Sequence, residues 1–195
     1  MNFDKEYWNQ KYINEKTGWD IGYVSTPLKE YIDQLENKEL KILIPGCGNA
    51  YEAEYLVSKG FKNVYLIDWS EIALDNFKKR AHEIPDSHLF CGDFFKHIEK
   101  YDMILEQTFF CSLDPSERAN YAKKMHELLN DNGKLVGLLF DTSLNDDVPP
   151  FGGSREEYVK YFGPYFDFKT YETAYNSIKP RAGREIFMIL VKKPV

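Results

Sequence analysis

The chain predicts an α/β domain built on a mostly parallel sheet with helices on both faces, and three observations carry that prediction. Short apolar runs alternate with helix-competent stretches along its length, the pattern of repeated strand-helix-strand units. A glycine-rich turn, Pro45-Gly46-Cys47-Gly48, joins the first run to the helical stretch that follows. Gly46, Asp68, Asp93, Glu106 and Phe140 all fall at the carboxyl ends of predicted strands, the edge where such sheets bind ligands.

Residues 4–16 are polar and helix-permissive, and their spacing sets Trp8, Tyr12 and Ile13 on one side, a stripe that packs onto the domain or over a ligand. Gly18 breaks the segment just before Trp19. Thr26 and Pro27 read as N-cap and first-turn proline of a helix reaching residue 36, with Leu28, Tyr31, Ile32 and Leu35 inward. The first strand, 41–45, runs into the glycine turn. Gly46 and Gly48 have no Cβ, so the backbone can bend tightly there and a ligand can approach it closely. The amides opening the next helix, 51–59, face the same space, and Gly60 closes that helix. A dinucleotide fingerprint has a third glycine where this chain has Tyr51, so a pyrophosphate site is not specified.

A second strand, 63–67, ends in Asp68, 22 residues beyond Gly46. A carboxylate there is placed to accept hydrogen bonds from ribose hydroxyls, with capping of the helix 71–81 that follows Ser70 as the lesser alternative. A brief third strand, 89–91, leads into Gly92-Asp93-Phe94-Phe95, where an acid and a ring can hold an adenine or make a turn over a buried ring. The fourth strand, 101–106, is followed by Gln107 to Cys111, a helix over 115–129, a turn at 131–133 and a fifth strand, 134–140. Residues 141–153 are a loop stiffened by Pro149 and Pro150 ahead of Phe151. A helix over 154–162 and strands at 166–174 and 185–191 complete the chain.

At 195 residues the simplest organisation is one domain, 1–195, large enough to bury a substantial core. A net charge of −6 offers no basic field to a nucleic acid, which is not expected as a partner. Three scattered cysteines, Cys47, Cys91 and Cys111, fit neither a secreted disulfide framework nor a zinc site, so no metal and a reduced, cytoplasmic setting are expected. No stretch of 18 apolar residues and no apolar leader predicts a membrane partner.

These residues resemble the thiopurine S-methyltransferases and the plant and microbial halide and thiol methyltransferases, which use S-adenosylmethionine and release S-adenosylhomocysteine. The marks are Tyr-Trp-Asn-Gln-Lys-Tyr, Gly-Trp-Asp-Ile-Gly, Pro-Gly-Cys-Gly, Leu-Ile-Asp-Trp-Ser, Gly-Asp-Phe-Phe, Phe-Phe-Cys-Ser-Leu-Asp-Pro and Pro-Pro-Phe, in that order over nearly the whole chain. The resemblance implies a Rossmann-like seven-stranded sheet, mostly parallel, whose last strand is antiparallel, with an N-terminal helical segment, 1–36, covering the cofactor. Carried over by position, Trp8 and Trp19 close over the cofactor, Gly46 lies under its methionine part and Asp68 binds the ribose, with Trp69 beside it. Asp93 and Phe94 hold the adenine, while Glu106 and Gln107 lie near the sulfonium. Tyr12, Phe140 and Phe151 fall on the acceptor side; Tyr12 stands where the halide and thiol enzymes have tryptophan, and Phe140 where they have tyrosine.

The implied reaction moves the sulfonium methyl to a small soft nucleophile: a thiol, a thiopurine, hydrogen sulfide or a halide. Such an acceptor arrives already nucleophilic, so desolvation and alignment suffice and no general base is required. His82, His88, His97 and His126 read as surface residues, Cys47 and Cys111 as small apolar packing, and a monomer is expected. Other readings stay open. An amino-methyltransferase acting on nucleic acid wants Asn or Asp, two prolines and an aromatic where this chain has Glu106-Gln107-Thr108. A nicotinamide oxidoreductase is weakened by Tyr51. A non-catalytic cofactor-binding module is the alternative from a different class.

Overall fold

The computed structural model describes residues 3–194; Met1, Asn2 and Val195, including the first two residues of the expected covering segment, lie outside the described residues. Seven strands form one sheet: β1 (Ile42–Pro45), β2 (Val64–Asp68), β3 (Leu89–Cys91), β4 (Tyr101–Gln107), β5 (Leu129–Phe140), β6 (Phe166–Thr173) and β7 (Glu185–Lys192). Their spatial order is β3-β2-β1-β4-β5-β7-β6. The pairs among β1 to β5 are parallel, and β7 runs antiparallel to both β5 and β6. The expected mostly parallel sheet with an antiparallel last strand is therefore the observed one.

The strand period explains how this sheet is covered on both faces. Successive side chains of β1 point to opposite sides, so Ile42 and Ile44 enter one core while Leu43 enters the other. The first core is closed by α2 (Thr26–Asp33), α3 (Tyr51–Ser58) and α4 (Glu71–Lys78), through Leu28, Ile32, Leu56, Leu74 and Phe77. The second is closed by α5 (Arg118–Leu128) and α6 (Arg155–Phe162), through Tyr121, Met125, Leu128, Tyr158 and Phe162. Burying each such side chain contributes about 1.5–3 kcal/mol, and β1, buried along all four residues, lies between both cores. Its carboxyl end, the glycine turn, is thereby held by the most buried strand.

Three local expectations change. The N-terminal helix, α1 (Lys5–Ile13), docks on α4 through buried Asn9, whose Oδ1 accepts from Ser70 Oγ at 2.7 Å, and through the exposed Lys5–Glu71 pair at 2.9 Å. That docking turns Ile13 to solvent, 58% exposed, so the expected stripe reduces to its two aromatics. Ser25 rather than Thr26 is the N-cap of α2. β5 begins at Leu129, which pairs with Tyr101; the predicted turn at 131–133 is an irregularity within the strand, where Asn132 takes φ 59°. Among the described residues no helix is long and apolar enough to cross a membrane.

Candidate active site

At the carboxyl edge of β1, β2 and β4 lies a cavity of about 740 Å³, roofed by α1 and the segment leading to α2. Small-molecule and cofactor pockets fall at about 300–1,000 Å³. Gly46 and Gly48 both take φ +54° at its floor. A Cβ on Gly46 would lie 2.2 Å from Cδ2 of Phe109, so the ring fills the space the missing side chain leaves. One on Gly48 would meet the Tyr12 hydroxyl oxygen at 3.1 Å. Ala50, whose methyl cannot cap, stands at the N-terminus of α3 in the left-handed region, and the helix opens onto the cavity through Tyr51 and Glu52.

Asp68 resolves one alternative the sequence left open. The cap of α4 is Ser70, whose Oγ accepts from Ala73 N at 3.2 Å. Asp68 instead braces the turns: Oδ2 accepts from Gly48 N at 2.9 Å and Oδ1 from Ser70 N at 2.8 Å. It lines the cavity, and burial pushes its carboxyl above the usual range. A carboxylate has about four lone-pair sites, so two backbone donors leave acceptor capacity for a ligand hydroxyl. Trp69, Asp93 and Phe94 line the cavity beside it. Asp93 Oδ1 accepts from Phe95 N at 2.9 Å, and Phe94 is nearly buried, its ring 5.2 Å from that of Phe109. The turn over a buried ring and the wall of the pocket are thus one feature.

Glu106 and Phe151 require correction: neither is among the described residues that line the cavity. Glu106 and Gln107 are consecutive in β4 and so face opposite sides of the sheet. Gln107 is on the cavity wall; Glu106 is fully buried behind it, Oε1 accepting from Phe109 N at 2.8 Å and Phe110 N at 3.0 Å, and Oε2 from the Tyr121 hydroxyl. Phe151 is 3% exposed, donates its amide to Cys111 O at 2.7 Å and sets its ring 5.7 Å from Phe3. Pro149 and Pro150 form the wall in its place. Phe140 does line the cavity.

The roof is an aromatic layer. Trp8 and Trp19 meet edge to face at 5.6 Å, and Tyr12 meets Trp19 at 5.9 Å. Burial, with Asp68 nearby, raises the Tyr12 phenol far above its ordinary value and keeps it neutral. Polar laces tie this layer to the body: Arg181 Nη2 donates to Trp19 O at 2.7 Å, Ser25 N donates to Glu52 Oε1 at 3.0 Å, and Asn49 Nδ2 donates to Asp20. Arg181 also reaches Glu185 at 3.6 Å and sits 5.8 Å from the Phe140 ring centroid. Sequence reasoning missed Arg181, which joins the site only through tertiary contacts, and gave no role to Asn49 and Glu52, which follow the glycine turn directly. Cys47 and Cys111 are buried as expected yet border the cavity, and burial raises both thiols well above their ordinary value.

Two acceptors on the wall are open to a polar ligand. Gln107 Oε1 and Asn49 Oδ1 are buried at the cavity without a hydrogen-bond partner among the described residues. Buried polar atoms are seldom left so, and both suit the ammonium and hydroxyl donors of S-adenosylmethionine. Three indoles and Phe94 give the cavity flat apolar surface. Fold and cavity describe a Rossmann-like cofactor-binding domain, and the family match makes it an S-adenosylmethionine-dependent methyltransferase. Residues 3–189 match the family model described as thiopurine S-methyltransferase (TPMT), and the chain belongs to that family. It is 29% identical over 185 residues to the probable thiol methyltransferase 2 of Arabidopsis thaliana, covering 91% of this chain and 81% of that one. Thiocyanate methyltransferase 1 of Brassica oleracea is 28% identical, with the same coverage. Among solved structures, the 1,6-didemethyltoxoflavin-N1-methyltransferase of Burkholderia thailandensis, with bound S-adenosylhomocysteine, shares the fold at TM-score 0.76 and 14% identity, covering 97% of this chain and 87% of that one.

Proposed function

We propose that this enzyme methylates a small soft nucleophile: a thiol, a thiopurine, hydrogen sulfide or a halide. The observation that carries the reading is that Phe140, Leu144, Pro149 and Pro150 line the same cavity as Arg181 and Arg184, with the Arg181 guanidinium 5.8 Å from the Phe140 ring centroid. An apolar, aromatic pocket with fixed positive charge suits a polarisable anion better than a neutral amine. The relatives' names, thiol and thiocyanate methyltransferase, support the same class.

S-adenosylmethionine, when bound, supplies a methyl group made electrophilic by its sulfonium. In this reading Asp68 accepts from the ribose, with Trp69, Asp93 and Phe94 around the adenine, and Gly46 admits the methionine part. Gln107 offers its free oxygen to a ligand donor. Trp8, Trp19 and Tyr12, carried by the covering segment 1–36 of a single domain, exclude water. Phe140 and Arg181 desolvate and align the acceptor, so proximity supplies much of the barrier reduction and no dedicated base is needed. Calorimetric titration with S-adenosylmethionine, then methyl-transfer assays with hydrosulfide, a thiopurine, thiocyanate and iodide, test the reading. Saturable cofactor binding with transfer to at least one of these is expected; binding without transfer to any of them would assign a non-catalytic module.

A further inference from the structure

We propose that Glu106, which touches neither ligand site, is a positioning residue: it fixes the turn after β4 that holds cofactor floor and acceptor wall in register. This rests on the methyl-transfer reading above. The turn is an unfavourable one. Thr108 takes φ 59°, a region that non-glycine residues seldom occupy. The next two amides, Phe109 N and Phe110 N, converge on the single oxygen Oε1 of Glu106 at 2.8 and 3.0 Å. Tyr121 of α5 holds the other carboxyl oxygen, and β5 makes room with Gly137, where a Cβ would lie 2.4 Å from that of Glu106.

Both halves of the site hang on the turn residues Thr108 to Cys111. Phe109 places its ring where a Gly46 side chain would be, and so sets the height of the glycine turn. Cys111 accepts from Phe151 N at 2.7 Å, and so anchors the loop that carries Pro149 and Pro150. In-line transfer needs donor and acceptor aligned within a fraction of an ångström, and a misplacement of about 1 Å can cost roughly 100-fold in rate. Glu106 acts through length and two accepted hydrogen bonds, not through proton transfer, because its carboxyl is sealed from the cavity.

The test compares Glu106→Gln with Glu106→Asp, with rates normalised to the number of cofactor sites titrated. Glutamine keeps the length and an oxygen for both amides; aspartate keeps the charge and loses the reach. Expected are a kcat within about threefold of the parent for the glutamine variant and a fall of about 10- to 100-fold for the aspartate variant. Cofactor Kd should change by less than about threefold in the glutamine variant. Amide exchange at Phe109 and Phe110 should accelerate only in Glu106→Asp. A glutamine variant as slow as the aspartate variant, or an aspartate variant like the parent, would overturn the proposal. If Glu106→Asp does not fold, Tyr121→Phe, which frees the second oxygen, should accelerate exchange at the same two amides, and unchanged exchange there counts against it. Should the parent enzyme methylate no acceptor, the functional reading fails, while amide exchange still decides whether Glu106 holds the turn.

Discussion

Asp68 ends β2 and Glu106 sits one residue before the end of β4, so these two carboxylates flank β1 at similar heights on the sheet. Asp68 lines the cavity and braces it through Gly48 and Ser70. Glu106 is fully buried on the far side of the wall and braces the turn after β4. Strand period separates them: a shift of one residue reverses which face a side chain serves. A carboxylate at a strand end therefore names a place in the fold but not a role, and the role follows from parity.

The largest effect should come at the seam where the two walls meet. In Gly46→Ala a left-handed backbone costs about 1–2 kcal/mol, and the new methyl, 2.2 Å from Phe109, adds about 1–3 kcal/mol of overpacking. Gly48→Ala carries the same backbone cost but meets only the end of Tyr12, at 3.1 Å. Thermal unfolding should show Gly46→Ala markedly less stable than Gly48→Ala. Equal losses would mean that Phe109 does not press against the glycine turn.

That seam also marks how far the sequence could be read. The positions of the strands up to β5, both glycines, Asp68, Trp69, Asp93 and Phe94 are legible because each lies in or within a few residues of a periodic apolar strand. The other half of the site is assembled by contacts that span the chain: Arg181 reaches Trp19 over 162 residues, and Ser25 reaches Glu52 over 27. Such pairings leave no local periodicity. Glu106 and Phe151 were misplaced for a related reason, since residue type and position were readable while the facing was not. Ile13 had the right spacing, but polar docking through Asn9 set the rotation of α1.

The next largest effect isolates the carboxylate that faces the cavity. Asp68→Ala removes an acceptor from two backbone amides and from the ribose it is proposed to hold, which should weaken cofactor binding by about 1–3 kcal/mol. Calorimetry on folded protein measures it, with Glu106→Gln as the contrast in which cofactor affinity holds. Unchanged affinity in Asp68→Ala would refute the ribose assignment and leave Asp68 a purely structural brace.

The smallest effect is a slope, and it distinguishes the two carboxylates with the least disturbance. Burial raises both, Asp68 above its usual 3.8 and Glu106 from 4.5 to about 7. A carboxyl whose value is higher in the folded than in the unfolded chain binds its proton more tightly when folded. Its stabilising contribution is full below the unfolded value and is lost as pH rises through the folded one. For Glu106 that window runs from 4.5 to about 7, with a slope of at most about 1.4 kcal/mol per pH unit. Cofactor-free protein should therefore melt at lower temperature at the upper end of this window than at the lower end, and Glu106→Gln should flatten the decline. Asp68→Asn should flatten the separate decline that starts from the unfolded Asp68 value of 3.8, but only without cofactor. Ribose hydroxyls donating to Asp68 favour its charged form and pull its value down, so the bound enzyme should keep the Glu106 slope and lose that of Asp68. Melting curves from pH 3.8 upward through the Glu106 window, with and without S-adenosylmethionine, read both slopes. If the cofactor removed the Glu106 slope instead, the carboxyl behind the wall would be in contact with the ligand after all, and the contrast between the two strand ends would collapse.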